Sequence, residues 1–96
     1  MDDYRIIASN DRLAEFRKLC ARANGEGRLI QVVSAAKALM RRVQNDPNSA
    51  GELLYHLTHT RMPVRHVVTY PVSVHIVVEE QRRVVFITKF ALLDRV

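Results

Sequence analysis

Few of the 96 residues have side chains suited to chemistry, and the histidines come first. His56 and His59 (HLTH) are three apart, a spacing that puts two ligands on one face of a helix. His66 and His75 fall on neighbouring predicted strands. Cys20 is the single cysteine and lies far off in sequence, and no HExxH or CxxC is present. The histidine pair therefore reads as incidental, and neither a metal nor a cofactor is expected. Cys20 sits on an apolar helical stripe, where a thiol is usually buried and inert. GxSxG, P-loop and GxGxxG motifs are all absent. Glu79-Glu80 falls in a hairpin turn, the setting of a solvated acidic pair more often than of an acid/base couple.

The cations remain. Arg61 and Arg65 lie at the entry to a predicted strand, Arg82 and Arg83 leave a hairpin turn, and Lys89 lies in the last strand. Strict alternation puts Lys89 on the face of Val85 and Ile87, opposite Phe86 and Phe90. If Arg65, His75 and Lys89 project from one sheet face, they form a basic patch with an imidazole at its centre. Such a patch binds RNA phosphates. It also supports RNA cleavage by attack of the 2′-hydroxyl. Cations stabilise the charged pentavalent transition state while an acid or base moves the proton. Arg65, His75 and Lys89 are thus the catalytic candidates, and Arg61, Arg82 and Arg83 the nucleic-acid-binding ones. The plain alternative is a set of ordinary solvent-facing strand residues.

The bulk composition fits an anionic partner. Lysine and arginine number 15 against 10 carboxylates, a formal net charge of +5. Only Lys18, Lys37 and Lys89 are lysines, so most of the charge is arginine, whose planar fork suits phosphates and carboxylates. Apolar residues make up 48%, a globular rather than disordered composition. No apolar run approaches the roughly 20 residues that span a bilayer. The acidic start, MDDYRIIASNDR, has no apolar signal-like region. Together with the lone cysteine, these features lead to the expectation of a cytoplasmic protein without membrane contact.

The elements that must position these side chains are legible from periodicity. Tyr4–Ala8 reads as an edge strand. Ser9, Asn10 and Asp11 offer N-caps for a first helix with Leu13, Phe16, Cys20 and Ala23 on one face. Asn24-Gly25 ends it. A second helix begins near Gly27 or Arg28, with Leu29, Val32, Val33, Ala36, Leu39, Met40 and Val43 as a wide apolar stripe. Pro47 breaks it. Gly51–Thr60 reads as a loop. Val64–Tyr70, Val72–Val78 and Val84–Phe90 read as strands of an antiparallel meander, with Pro71 as an interruption or edge. The order β-α-α-β-β-β makes one α+β domain, a helix hairpin packed on one face of a twisted antiparallel sheet. The other sheet face is left for solvent or a partner.

The helix pair, the break NDPNSAGELLYHL, the arginine-bearing strand VRHVVTY and the closing PVSVHIVVEEQRRVVFITKF together resemble the RelE/ParE superfamily of bacterial toxin–antitoxin toxins. The resemblance spans nearly the whole chain and rests on order and pattern more than on invariant residues. It implies a helix hairpin on an antiparallel sheet. RelE-type members cleave messenger RNA on the ribosome without a metal, and ParE-type members inhibit DNA gyrase. Both are held inactive by an antitoxin segment. By position, Arg65 matches the arginine that opens the strand after the long loop, and Lys89 lies where functional basic residues often fall. The middle strand lacks the family's Y-R-V-x-Y arginine, and no Tyr or His follows Lys89.

Two functions follow as expectations. One is a toxin-like protein of a toxin–antitoxin pair, directed at RNA or the ribosome and met by an antitoxin. The other is a non-catalytic binding or scaffold domain on the same fold. In the latter, Phe90–Leu93 would dock on the domain's own helices or form a homodimer contact.

Overall fold

The computed structural model describes residues 3–94. Two helices cover one face of a five-stranded sheet. In chain order the elements are β1 (Arg5–Ala8), α1 (Asn10–Gly25), α2 (Leu29–Asn45), β2 (Glu52–His56), β3 (Pro63–Thr69), β4 (Val72–Glu79) and β5 (Val84–Leu92). The sheet order is β1-β5-β4-β3-β2. The architecture is the expected α+β, with β1 at an edge and a β3-β4-β5 meander. Two features refine it. β1 pairs with β5 in parallel, so the sheet is mixed. Glu52–His56, within the segment expected to be a loop, is a strand paired antiparallel to β3. Its sequence, ELLYH, does not alternate in polarity because every residue of this edge strand is exposed. A bulge between Leu53 and Tyr55 also breaks the two-residue period.

Local chemistry sets the helix limits. Ser9 caps α1 by accepting from the Arg12 backbone N–H at 3.2 Å. Three residues, Glu26–Arg28, separate the helices, and Gly27 there has φ +71°. α2 stops before Pro47, whose missing N–H cannot continue the ladder. A short 3₁₀ turn, Pro47–Ser49, leads into β2.

The core lies between helices and sheet. Val32, Leu39 and Val43 of α2 are fully buried against Val67, Val74, Ile76 and Val85. From α1 come Leu19 and Ala23, with Phe16 half-buried and its ring 5.0 Å from that of Phe90. Leu13 and Val33, expected on the apolar stripes, are 42% and 38% exposed because they sit at the stripe margins.

α1 also guards the sheet. β1 pairs only as far as Ile87, which leaves the rest of β5 as a free edge. Arg12 fills that gap by donating to the Thr88 carbonyl at 2.9 Å, and the Glu15 carboxylate accepts from the Phe90 backbone N–H. Two helix side chains thus satisfy backbone groups that a longer β1 would have paired. The end of β5 stays with its own domain. Leu93 donates to the Pro71 carbonyl at 2.8 Å, and buried Arg28 bonds the Leu93 carbonyl at 2.7 Å and Glu26 at 2.9 Å.

At the opposite end of the strands, Tyr4 is buried. Its hydroxyl meets both Glu80 carboxylate oxygens at 2.5 and 2.6 Å. Asn48 donates to the same carboxylate at 2.8 Å, and the Arg83 guanidinium lies 4.3 Å from the centre of the Tyr4 ring. These charge-assisted bonds join β1, the 3₁₀ turn and the β4–β5 turn, and they hold the Glu80 carboxyl below its ordinary value.

Candidate nucleic-acid interface

The strand registers divide the sheet into two faces. Val67, Val74 and Phe90 lie in one row toward the helices. On the other face, Glu52 of β2 stands opposite His66 of β3, His66 opposite His75 of β4, and His75 opposite Lys89 of β5. The result is one row across four strands: carboxylate, imidazole, imidazole, ammonium. Directly opposed Cβ atoms in such a ladder are about 5 Å apart, so neighbours along the row are within reach of one another. The rings of His66 and His75 are 5.0 Å apart, edge to face.

Lys89 reaches this row through a bulge. His75 pairs with Lys89 but Ile76 pairs with Ile87, so Thr88 is an extra residue on β5. Alternation is broken there, and Lys89 shares the face of Phe86 while Phe90 turns to the core. That corrects the face expected from strict alternation. The Thr88 hydroxyl donates to the His75 carbonyl at 3.3 Å and Arg12 holds the Thr88 carbonyl, so the kink is fixed from both sides.

Arg65 does not join. It is opposite Ile76, on the helix-side face, one residue out of phase with His66. Its guanidinium donates to the carbonyls of Ala50 at 2.8 Å and Gly51 at 3.2 Å. That geometry ties the start of β2 to β3, a positioning role. The patch with Arg65, His75 and Lys89 on one face is therefore corrected: the register brings His75 and Lys89 together and turns Arg65 away.

The other arginines are dispersed. Arg82 makes a two-bond ion pair with Glu79, at 2.6 and 3.0 Å. Arg83 packs on Tyr4 and lies 3.8 Å from Glu80. Arg61 is exposed in the β2–β3 turn with φ +62°, beside an open hollow of about 400 Å³ that reaches Glu79 and Glu80.

The electrostatics of the row are uneven. The His75 imidazole is pushed below its ordinary value, chiefly by burial, then by the neighbouring His66 and Lys89. At neutral pH it is thus an unprotonated base beside a cation. Among the described residues, no group of three or more His, Cys, Asp or Glu side chains is placed to hold a metal ion. Cys20 is half-buried and its thiol is raised by burial, the opposite of an activated nucleophile.

Glu52 and Tyr55 escaped the sequence reading, and His66 entered it only beside His75 in weighing a metal site. Glu52 and Tyr55 fell in the presumed loop. His66 was visible as a strand residue, but its face mattered only once the register was known. Compared with known proteins, the chain matches no family model, no curated sequence and no solved structure.

Proposed function

We propose that the protein is an RNA-directed, toxin-like domain whose open sheet face binds an RNA phosphate and cleaves the strand by 2′-hydroxyl attack. The alignment of His66, His75 and Lys89 in one cross-strand row supports this reading. Paired imidazoles beside an ammonium are a sufficient set for the reaction without a metal. Unprotonated His75 takes the proton of the 2′-hydroxyl. The 2′-oxygen then forms a bond to phosphorus, and the bond from phosphorus to the 5′-oxygen breaks. His66 serves as the general acid that gives a proton to that leaving oxygen, with Glu52 opposite it in the ladder. Lys89 balances the charge that builds on the phosphoryl oxygens. The products are a 2′,3′-cyclic phosphate and a 5′-hydroxyl.

This chemistry agrees with the metal-free cleavage that the resemblance to RelE-type toxins implies. The experiment is tightly controlled expression in a bacterial host, following growth and messenger-RNA integrity together. Growth arrest with new RNA ends, relieved by Lys89→Ala, is expected. Normal growth and intact RNA from verified soluble protein would overturn the proposal.

A non-catalytic binding domain is the second reading, and one observation favours it. Leu53, Leu54 and Tyr55 of edge strand β2 are 47%, 43% and 58% exposed, an unusual apolar edge that suits a partner strand from an antitoxin or a second copy.

A further inference from the structure

A second row lies next to the imidazole row on the same open face. Tyr55 of β2 is opposite Val64, Val64 opposite Val77, Val77 opposite Phe86, and Phe86 opposite Ile7 of β1. This row crosses all five strands and is apolar throughout. Val64 and Val77 form its buried floor at 3% and 7% exposure. Tyr55 and Ile7 stand out of it at 58% and 37%, with the Phe86 ring half-buried between Val77 and Ile7. Two residues along a strand separate the rows, a spacing of about 7 Å. That is the scale on which a nucleotide sets its base beside its phosphate.

The pattern has a physical consequence. An apolar row with exposed aromatic surface, parallel to a row whose His66, His75 and Lys89 stretch is imidazole and ammonium and whose Glu52 end is a carboxylate, matches the two sides of an unpaired nucleotide chain. Bases stack on aromatic faces, and phosphates follow the charges. A duplex offers no free base face and presents phosphates on both grooves, so it gains nothing from the apolar row.

We infer that the Tyr55–Phe86 row is a base-stacking subsite, that RNA runs across the strands, and that the substrate class is single-stranded RNA. The inference rests on the RNA-directed reading above and deepens it, with Tyr55 as the residue that distinguishes unpaired from paired RNA. In-line attack of the 2′-hydroxyl is itself easier in unpaired RNA, so the subsite is tested by binding of uncleavable RNA and not by cleavage.

The test uses the intact protein and 2′-O-methyl RNA oligonucleotides, in which the blocked 2′-oxygen prevents cleavage. Affinity is read by fluorescence anisotropy for a labelled single strand and for its duplex. The single strand should bind at least about tenfold more tightly. Tyr55→Ala should weaken single-strand binding about tenfold, the low end of the loss of one base–aromatic stack, and leave duplex binding unchanged. Tyr55→Phe keeps the ring and should bind like the unaltered protein. Tyr55 is largely exposed, so these variants keep the fold, which thermal melting verifies. Equal affinity for single strand and duplex overturns the inference, as does a Tyr55→Ala variant that binds the single strand unchanged. Cleavage of RNA together with either of those results would retain the proposed chemistry and remove this subsite. Single-strand preference without cleavage would do the reverse.

Discussion

Gly51→Ala is the sharpest perturbation of the strand that carries Glu52 and Tyr55. Gly51 has φ +62°, a conformation that costs an L side chain about 1–2 kcal/mol. A Cβ there would lie 2.0 Å from the His66 carbonyl oxygen and 2.9 Å from the Val67 Cα, both backbone atoms that cannot rotate away. Ordinary contact begins at 3.4 Å, so β2 and β3 must separate locally by roughly 3.4 minus 2.0, or 1.4 Å. That displacement strains the Arg65 bond to the Gly51 carbonyl and the Glu52–His66 pairing, about 1 kcal/mol for each hydrogen bond lost. The total is about 3 kcal/mol, a fall in Tm of roughly 12–24 °C for a domain of this size. Gly27→Ala is the control. Its φ is +71° but no atom lies within 4 Å of the added Cβ, so only the conformational cost of about 1–2 kcal/mol applies. Thermal unfolding followed by circular dichroism measures both. If Gly51→Ala is no more destabilising than Gly27→Ala, the close packing of β2 on β3 is not what holds this edge.

Two pH dependences follow from the polar clusters. The Glu80 carboxyl is lowered in the folded protein by Tyr4 and then Asn48, so its stabilisation is present above the unfolded carboxylate value near 4.3. It is lost as pH falls through the lowered folded value. Tyr4→Phe should therefore cost about 1 kcal/mol at pH 7, reduced by the exposure of Glu80, with the gap to the unaltered protein closing toward pH 3. Urea unfolding at both pH values checks it, and a constant gap would contradict it. His75 is lowered in the folded state, so between its folded value and about 6.5 the unfolded chain binds more protons. Stability should fall with acid in that window. Cleavage that uses His75 as base should fall on the acid side of its pH profile along a limb centred below the ordinary imidazole value of about 6.5. An acid-side limb centred above pH 7 would assign the base elsewhere.

The helices and the meander were legible because their apolar periodicity is strong and their stops, Asn24-Gly25 and Pro47, act locally. β2 was not, since an exposed edge strand with a bulge has no alternation to read. The parallel pairing of β1 is a tertiary fact without a local signal. The site shows the same division. His75 and Lys89 were named from residue type, yet their meeting depends on one extra residue, Thr88, that inverts the end of β5. Arg65 looked equivalent to them in sequence and differs only by register, which two carbonyl bonds to Ala50 and Gly51 exploit structurally. Residue chemistry was readable; which face each side chain occupies required the pairing.

In the proposed reaction His75, beside His66 and Lys89, cleaves RNA unaided by a metal. The most direct measurement is incubation of the purified protein with RNA in excess chelator, with the product ends identified by mass spectrometry. The expected products carry 2′,3′-cyclic phosphate and 5′-hydroxyl ends, with His75→Ala slower by at least about 100-fold, the usual scale for loss of a general base. Intact RNA, or equal cleavage by the unaltered protein and His75→Ala, would contradict it.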